Sequence, residues 1–199
     1  MSVTGLTAKG GRRADEVLEA AIRCLGEDGY AGTSLARVAA RAGVQKRMVL
    51  YYFGSRERLM AAALERVADR FLGDLEARVA GVEDPGALVD ALLDVLLEQV
   101  SERHLIAAYF GLVAESANDD VLRATLDSLH ARAEALAHRV LDHLEAHGRQ
   151  LSAERGLLLL AANTAAHGLG LELLQRGLTP ELERAIAFAR AGAPLLLFD

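Results

Sequence analysis

Four side chains within seven positions, Gln45, Lys46, Arg47 and Tyr51, make a donor-rich set that includes an aromatic. An amide, an ammonium, a planar guanidinium fork and a phenol are mostly donors. Their natural complement is an array of acceptors such as the phosphates and base edges of a DNA major groove. The histidines form a second set. His143 and His147 are four apart, and His130, Glu134 and His138 repeat that step, which places each group on one side of a helix as metal ligation requires. No glutamate directly follows His143, as a zinc-protease motif would need, and the single cysteine, Cys24, is distant in sequence. A solvated or partly packed helix face is the simpler expectation for these histidines, with no metal and no cofactor. No nucleophile, base and orienting group fall into a pattern, so no enzyme is expected.

For Gln45, Lys46, Arg47, Met48, Leu50 and Tyr51 to face outward together, the neighbouring elements must be short and tightly turned. Thr33 or Ser34 can cap a helix whose apolar face is Leu35, Val38 and Ala39, and Gly43 ends it after about two turns. Gly43 supplies the left-handed residue that a tight turn needs, and Ala39 is small where two crossing helices approach. A second short helix at 45–52 follows, held by Val38, Val44, Val49 and Phe53 against a first helix striped with Val17, Leu18, Ala21, Ile22 and Leu25. That first helix is expected to begin near Arg12 and end at Gly29, leaving residues 1–11 as a flexible tail.

Beyond Gly54 the pattern is one of longer helices. Ser55 can cap a helix with apolar residues every fourth position from Leu59 to Val79. Asp84-Pro85 and Thr179-Pro180 mark two more helix starts, because the proline lacks only an N–H that the first turn leaves unpaired. Further helices are expected at about 85–100, 102–117, 119–147, 153–176 and 180–197. The fold class is all-α, about nine helices in all: a three-helix head over 12–54 and a helical bundle over 55–199. No strand and no repeat is evident. With 52% apolar and 25% charged residues in 199, 18 glycines and 3 prolines, the chain has a globular composition poor in turn residues.

The net charge of −6, from 22 basic and 28 acidic side chains, argues at first against a nucleic-acid partner. Residues 1–60 reverse that sign, with ten basic side chains (Lys9, Arg12, Arg13, Arg23, Arg37, Arg41, Lys46, Arg47, Arg56 and Arg58) against six acidic ones. The positive charge thus lies in the head and the negative charge in the remainder. No apolar core of a signal peptide opens the sequence, and a lone cysteine cannot form an internal disulfide, so a cytoplasmic protein is expected. The longest uncharged run, Gly156 to Leu171, contains Asn163, Thr164 and His167, is shorter than a membrane span and reads as a buried helix, with no membrane partner.

The stretch TSLARVAARAGVQKRMVLYYF, residues 33–53, resembles the helix-turn-helix of TetR-type transcriptional regulators. The likeness rests on Gly29-Tyr30, Thr33-Ser34, Val38-Ala39, Ala42-Gly43-Val44, Tyr52-Phe53 and Ser55-Arg56, in order and without gaps, over roughly residues 12–60. It implies a homodimer on palindromic operator DNA, most simply a repressor released by a small molecule bound in the body. The DNA-binding set it implies is Ser34, Gln45, Lys46, Arg47, Met48, Leu50, Tyr51, Tyr52 and Arg56. Within it, Lys46 and Arg56 match basic phosphate contacts, while Gln45, Arg47 and Tyr51 match positions that read bases or adjacent backbone. Two residues depart from the pattern: Gln45 replaces the usual serine cap, and Leu50 stands where a phosphate-binding tyrosine is common. An activator, a regulator independent of ligand and a helical metal sensor remain as alternatives, and an ordinary helical hairpin is the plain reading of 33–53.

In the body, a ligand pocket needs apolar walls with a few polar handles, and His104, Tyr109, Phe110, Asn163 and His167 are the candidates beside plain core packing. The small residues Ala161, Ala162, Ala165, Ala166, Gly168 and Gly170 allow close helix approach. With the apolar C-terminal stretch from Pro194 they place the dimer interface on the helices at 153–176 and 180–197. Lys9, Arg12 and Arg13 can reach phosphates or a minor groove, or can simply be a soluble terminus.

Overall fold

The structure is a computed structural model that describes residues 8–198. Among these residues there are nine helices: α1 (Ala8–Gly32), α2 (Leu35–Arg41), α3 (Lys46–Phe53), α4 (Arg56–Val79), α5 (Pro85–Ser101), α6 (Arg103–Glu115), α7 (Asp120–Ala146), α8 (Arg155–Arg176) and α9 (Pro180–Leu197). A single antiparallel bridge, Leu151 to Phe198, is the sole extended pairing described. The helix starts expected at Pro85 and Pro180 are present, and Thr179 Oγ1 accepts from the Leu182 N–H at 3.2 Å.

Two expectations about the N-terminal region need correction. Residues 8–11, read as tail, are the first turn of α1, so helix formation begins before Arg12; residues 1–7 lie outside the described part. α1 also continues past Gly29, but not smoothly. Gly29 has φ 69° and ψ 177°, a backbone conformation open to glycine and costly for other residues, and it breaks the helical geometry where the sequence placed the end.

The chain divides into two compact units, residues up to Asp69 with Arg103–Leu129, and Arg70–Glu102 with His130 onward. The expected boundary at 54 is therefore not a break in packing. In the first unit Val17, Ile22 and Leu25 of α1 share one core with Val38 of α2 and Val49 of α3. The same core takes in Leu59, Met60 and Leu64 of α4, Leu105, Ala108 and Leu112 of α6, and Leu122, Leu126 and Leu129 of α7. One face of α1 alone cannot shield that many large side chains, so α6 completes the burial that a three-helix head leaves open. Cys24 is fully buried there, and burial pushes its thiol pKa up, which makes it a small core residue rather than a reactive one.

In the second unit Val79, Leu88, Leu136, Leu141, Leu144 and Phe198 form one cluster, and Val89, Leu93 and Ile186 another. Arg190 of α9 fastens to α5 by charge-assisted bonds to Asp94 and, at 2.6 Å, to Asp90. The segment Gly156–Leu171 is not a buried helix. Within α8 the buried residues are Leu158, Gly170 and Leu173, whereas Leu157, Leu160, Ala161, Ala162, Asn163, Thr164 and Ala165 are exposed. By length and apolar content alone α8 would also span a membrane. Asn163, Thr164 and His167 are polar groups at a depth that spans avoid.

Candidate nucleic-acid interface

α2 and α3 are short because each end is set by local chemistry. Ser34 Oγ accepts from the Arg37 N–H at 3.2 Å and starts α2, so the Ser34 hydroxyl is engaged within its own helix. At the other end the Gly43 and Val44 N–H groups donate to Ala40 O at 3.3 Å and Ala39 O at 2.9 Å, satisfying the last carbonyls of α2. Gly43 has φ 64°, the left-handed geometry expected of it. α3 begins one residue later than expected, at Lys46, with Gln45 as an N-cap whose side chain makes no capping bond. The Gln45 amide is thereby left available for an external partner.

Val49 and Phe53 bury one side of α3 against the first core. Because 3.6 residues make a turn, the opposite side carries Gln45, Lys46, Arg47, Leu50 and Tyr51, and all five are exposed, Tyr51 to 68%. Met48 is half-buried at the edge of this face. Tyr52 is half-buried against the core, with its ring edge-on to Tyr51 at 5.3 Å between centroids, so it steers Tyr51 more than it presents itself.

The arginines of this unit divide by partner. Arg37 donates to Asp28 through two bonds, at 2.5 and 2.7 Å, and Arg41 donates to Glu27. Arg41 holds the Glu27 carboxyl below its usual pKa, while donating to Glu27 raises that of Arg41. Arg66 bridges to Asp15 at 2.6 Å and Glu19 at 3.2 Å. The acidic residues of α1 thus neutralise charge on α2 and α4. Lys46 and Arg47 have no ion pair among the described residues, so the uncompensated charge of the helix-turn-helix sits on α3.

Arg56 differs from the phosphate contact the sequence suggested. Its guanidinium donates to Tyr30 O at 2.6 Å and to Thr33 O at 3.1 Å, and lies 4.1 Å from the centre of the Tyr30 ring. Burial raises the Tyr30 pKa, and the Arg56 charge opposes that rise. Beneath this clamp the Thr33 hydroxyl, fully buried, donates to Gly29 O at 2.8 Å. Arg56 therefore fixes the corner between α1 and α2.

The candidate pocket residues fall in both units. On α6, His104, Tyr109 and Phe110 are half-buried, with the Tyr109 and Phe110 rings edge-to-face at 5.4 Å and the Tyr109 pKa pushed up by burial. On α8, Asn163 lies on the exposed face, and half-buried His167 has Nδ1 2.9 Å from the Asn163 carbonyl oxygen. At the far end of α7, His143 and His147 stand beside Glu83, a residue that sequence reasoning passed over because nothing local connects positions 60 apart. Of the N-terminal cations, Lys9 and Arg12 are exposed on the first turns of α1, and Arg13 pairs with Glu16 at 2.5 Å.

Residues 17–63 match the family described as bacterial regulatory proteins, tetR family. Among characterised sequences, the HTH-type transcriptional regulator BetI of Brucella anthropi is 30% identical over 83 residues, 42% of this chain and 43% of that protein. The chain thus spans about half the length of the curated relatives it matches, from 42% to 57%. Its fold is that of a transcriptional regulator from Saccharomonospora viridis solved in complex with choline, with TM-score 0.80, 16% identity, and coverage of 95% of this chain and 99% of that one. The multidrug binding protein EbrR, solved with ethidium, aligns with TM-score 0.66 and 26% identity over 88% of this chain and 95% of that one.

Proposed function

We propose that this chain, a TetR-family protein by its head over residues 17–63 and by its fold, is a cytoplasmic homodimeric repressor that leaves operator DNA when a small molecule binds its helical body. The observation that carries the DNA reading is the uncompensated charge of Lys46 and Arg47 on an exposed helix face beside Gln45, Leu50 and Tyr51. α3 enters the major groove. Lys46 meets phosphate, Gln45, Arg47 and Tyr51 read base edges or the adjacent backbone, and Leu50 can touch a thymine methyl. Ser34, Met48, Tyr52 and Arg56 hold α3 at the angle this needs.

Homodimerisation is supported by the uncovered side of α8 and by α9, where Leu160 is 63% and Phe188 81% exposed. Such surface is costly in water, and an isologous pairing covers it with a second copy of itself. Asn163, exposed on that same face of α8, belongs with the interface in this reading. For the effector, His104, Tyr109 and Phe110 on α6 supply ring faces and a few polar atoms, and His167 on α8 is a separate candidate in the other unit. The ligands of two structural relatives, choline and ethidium, are organic cations, which aromatic faces attract. Organic cations are therefore the effector class to test first. Release follows by linkage: a ligand that favours the unbound geometry weakens DNA affinity by its difference in affinity for the two states.

The experiment is fluorescence anisotropy of the full chain on labelled DNA from upstream of its own gene, against random DNA of equal length, followed by titration with choline and ethidium. Preference for the upstream DNA, two chains per site and release by an organic cation are expected. Equal affinity for both DNAs would refute sequence-specific regulation.

A further inference from the structure

His143 and His147 lie one turn apart near the C-terminal end of α7, with ring centroids 4.3 Å apart. The connection between α4 and α5 brings Glu83 to them. Its Oε1 is 3.4 Å from His147 Nε2, and one donor atom from each of the three residues lies within 4.8 Å of the others. The rings are oriented by their surroundings. His147 Nδ1 is 2.8 Å from the carbonyl oxygen of His143, and since a carbonyl only accepts, the Nδ1 proton is fixed there. That leaves Nε2 of His147 facing the Glu83 carboxylate. His143 Nε2 is buried and has no hydrogen-bond partner.

One donor atom from each of the three side chains is thus within reach of a single cation placed among them. We propose that Glu83, His143 and His147 form a binding site for one divalent transition-metal ion of the zinc class. Two imidazoles with a carboxylate suit zinc, nickel or cobalt, whereas calcium and magnesium prefer oxygen donors alone. The His147 Nδ1–H bond to a backbone carbonyl is the usual outer support of a ligating histidine. The site also faces the C-terminal end of α7, where the last carbonyls carry partial negative charge. Arg149 is the neighbouring cation: its Nε donates to Glu83 O at 3.4 Å, and its guanidinium lies 4.0 Å from Asp84, which offsets part of its charge.

In a bound tetrahedron the donors would sit about 3.3 Å apart. The His147–Glu83 pair is already near that spacing, and Glu83 and His147, both exposed, can close the remaining distances by side-chain rotation. Three protein ligands leave a fourth position for water. The site is independent of the DNA reading and stands or falls without it.

The test is calorimetric titration of the full chain, purified without a histidine tag and stripped by chelator, with Zn²⁺ and with Co²⁺ alone. One saturable equivalent per chain is expected, with the strong visible absorption of a four-coordinate cobalt. His147→Ala should weaken binding by roughly 100-fold and Glu83→Gln by about tenfold, while His138→Ala, outside the set on the same helix, should bind as the parent does. His143 is half-buried, so His143→Ala is read together with its metal-free melting curve, and exposed His147 carries the decision if that variant unfolds. No saturable binding by the parent chain, or unchanged binding by His147→Ala, would overturn the site.

Discussion

The Cα of His104 lies 2.6 Å from where a Cβ on Gly26 would stand, and the His104 carbonyl oxygen is closer still. α1 and α6 therefore meet backbone to backbone at Gly26, and an approach this close depends on position 26 having no side chain. His104 enters the molecule first as part of that crossing and only second as a candidate ligand contact.

Gly26→Ala should consequently destabilise the protein. Helix propensity favours alanine by about 1 kcal/mol, but forcing a methyl against backbone costs typically about 1–3 kcal/mol, and the backbone atoms of His104 cannot rotate aside. A net loss of up to about 2 kcal/mol in urea unfolding is expected. Gly73→Ala is the control: nothing lies within 4 Å of its Cβ position, so the same change should be neutral or stabilising there. Equal effects at both sites would refute the close approach.

Arg56 acts in the corner of α1 and α2 rather than as an exposed phosphate contact. Arg56→Ala removes two bonds to carbonyls and the stacking on Tyr30, and should cost about 2 kcal/mol of stability. Arg56→Lys keeps the charge but loses the fork, so it should recover little stability. If Arg56→Lys restores full stability, the clamp is not what the residue provides.

Lys46 and Tyr51 should separate affinity from specificity. Lys46→Ala should weaken binding to every sequence and lower the salt slope by about one unit, while Tyr51→Ala should change which base is preferred. Salt titrations and a selection from randomised operators measure the two effects, and identical losses on operator and random DNA for both variants would remove the assigned roles.

If the exposed faces of α8 and α9 form the proposed dimer interface, a charge placed there should break it. Leu160→Asp places a carboxylate in the centre of the proposed interface and should give monomers in sedimentation equilibrium with the helical circular dichroism retained. A monomer already in the parent chain would remove the interface.

Acid should loosen the tie between α1 and α2. The folded pKa of Glu27 is lowered by Arg41, so the stability it contributes is present above the unfolded value of about 4.3 and is lost as the pH falls through the folded one. Glu27→Gln should flatten the acid limb of the stability profile below about pH 4. At neutral pH its effect should be small, because the pair is exposed and screened.

The helices, their proline starts, the Gly43 turn and the outward face of α3 are legible in the sequence because each depends on residues within a few positions: a cap, a left-handed glycine, an apolar stripe. The exposed residues Gln45, Lys46, Arg47, Leu50 and Tyr51 come with them, since helical periodicity alone puts them opposite Val49 and Phe53. What the sequence could not contain is which distant groups meet. It counted Arg37, Arg41 and Arg56 as available charge; packing gave Asp28 and Glu27 to the first two and backbone carbonyls to the third. It read Gly156–Leu171 as buried, and the tertiary fold left that helix uncovered, because burial depends on what packs beside a helix rather than on how apolar it is. It set His143 and His147 aside as a helix face, and only the fold, by returning the chain at Glu83 to the end of α7, supplied the third donor. Local free energies decide the elements. Contacts between residues far apart along the chain decide the charges, the surfaces and the sites.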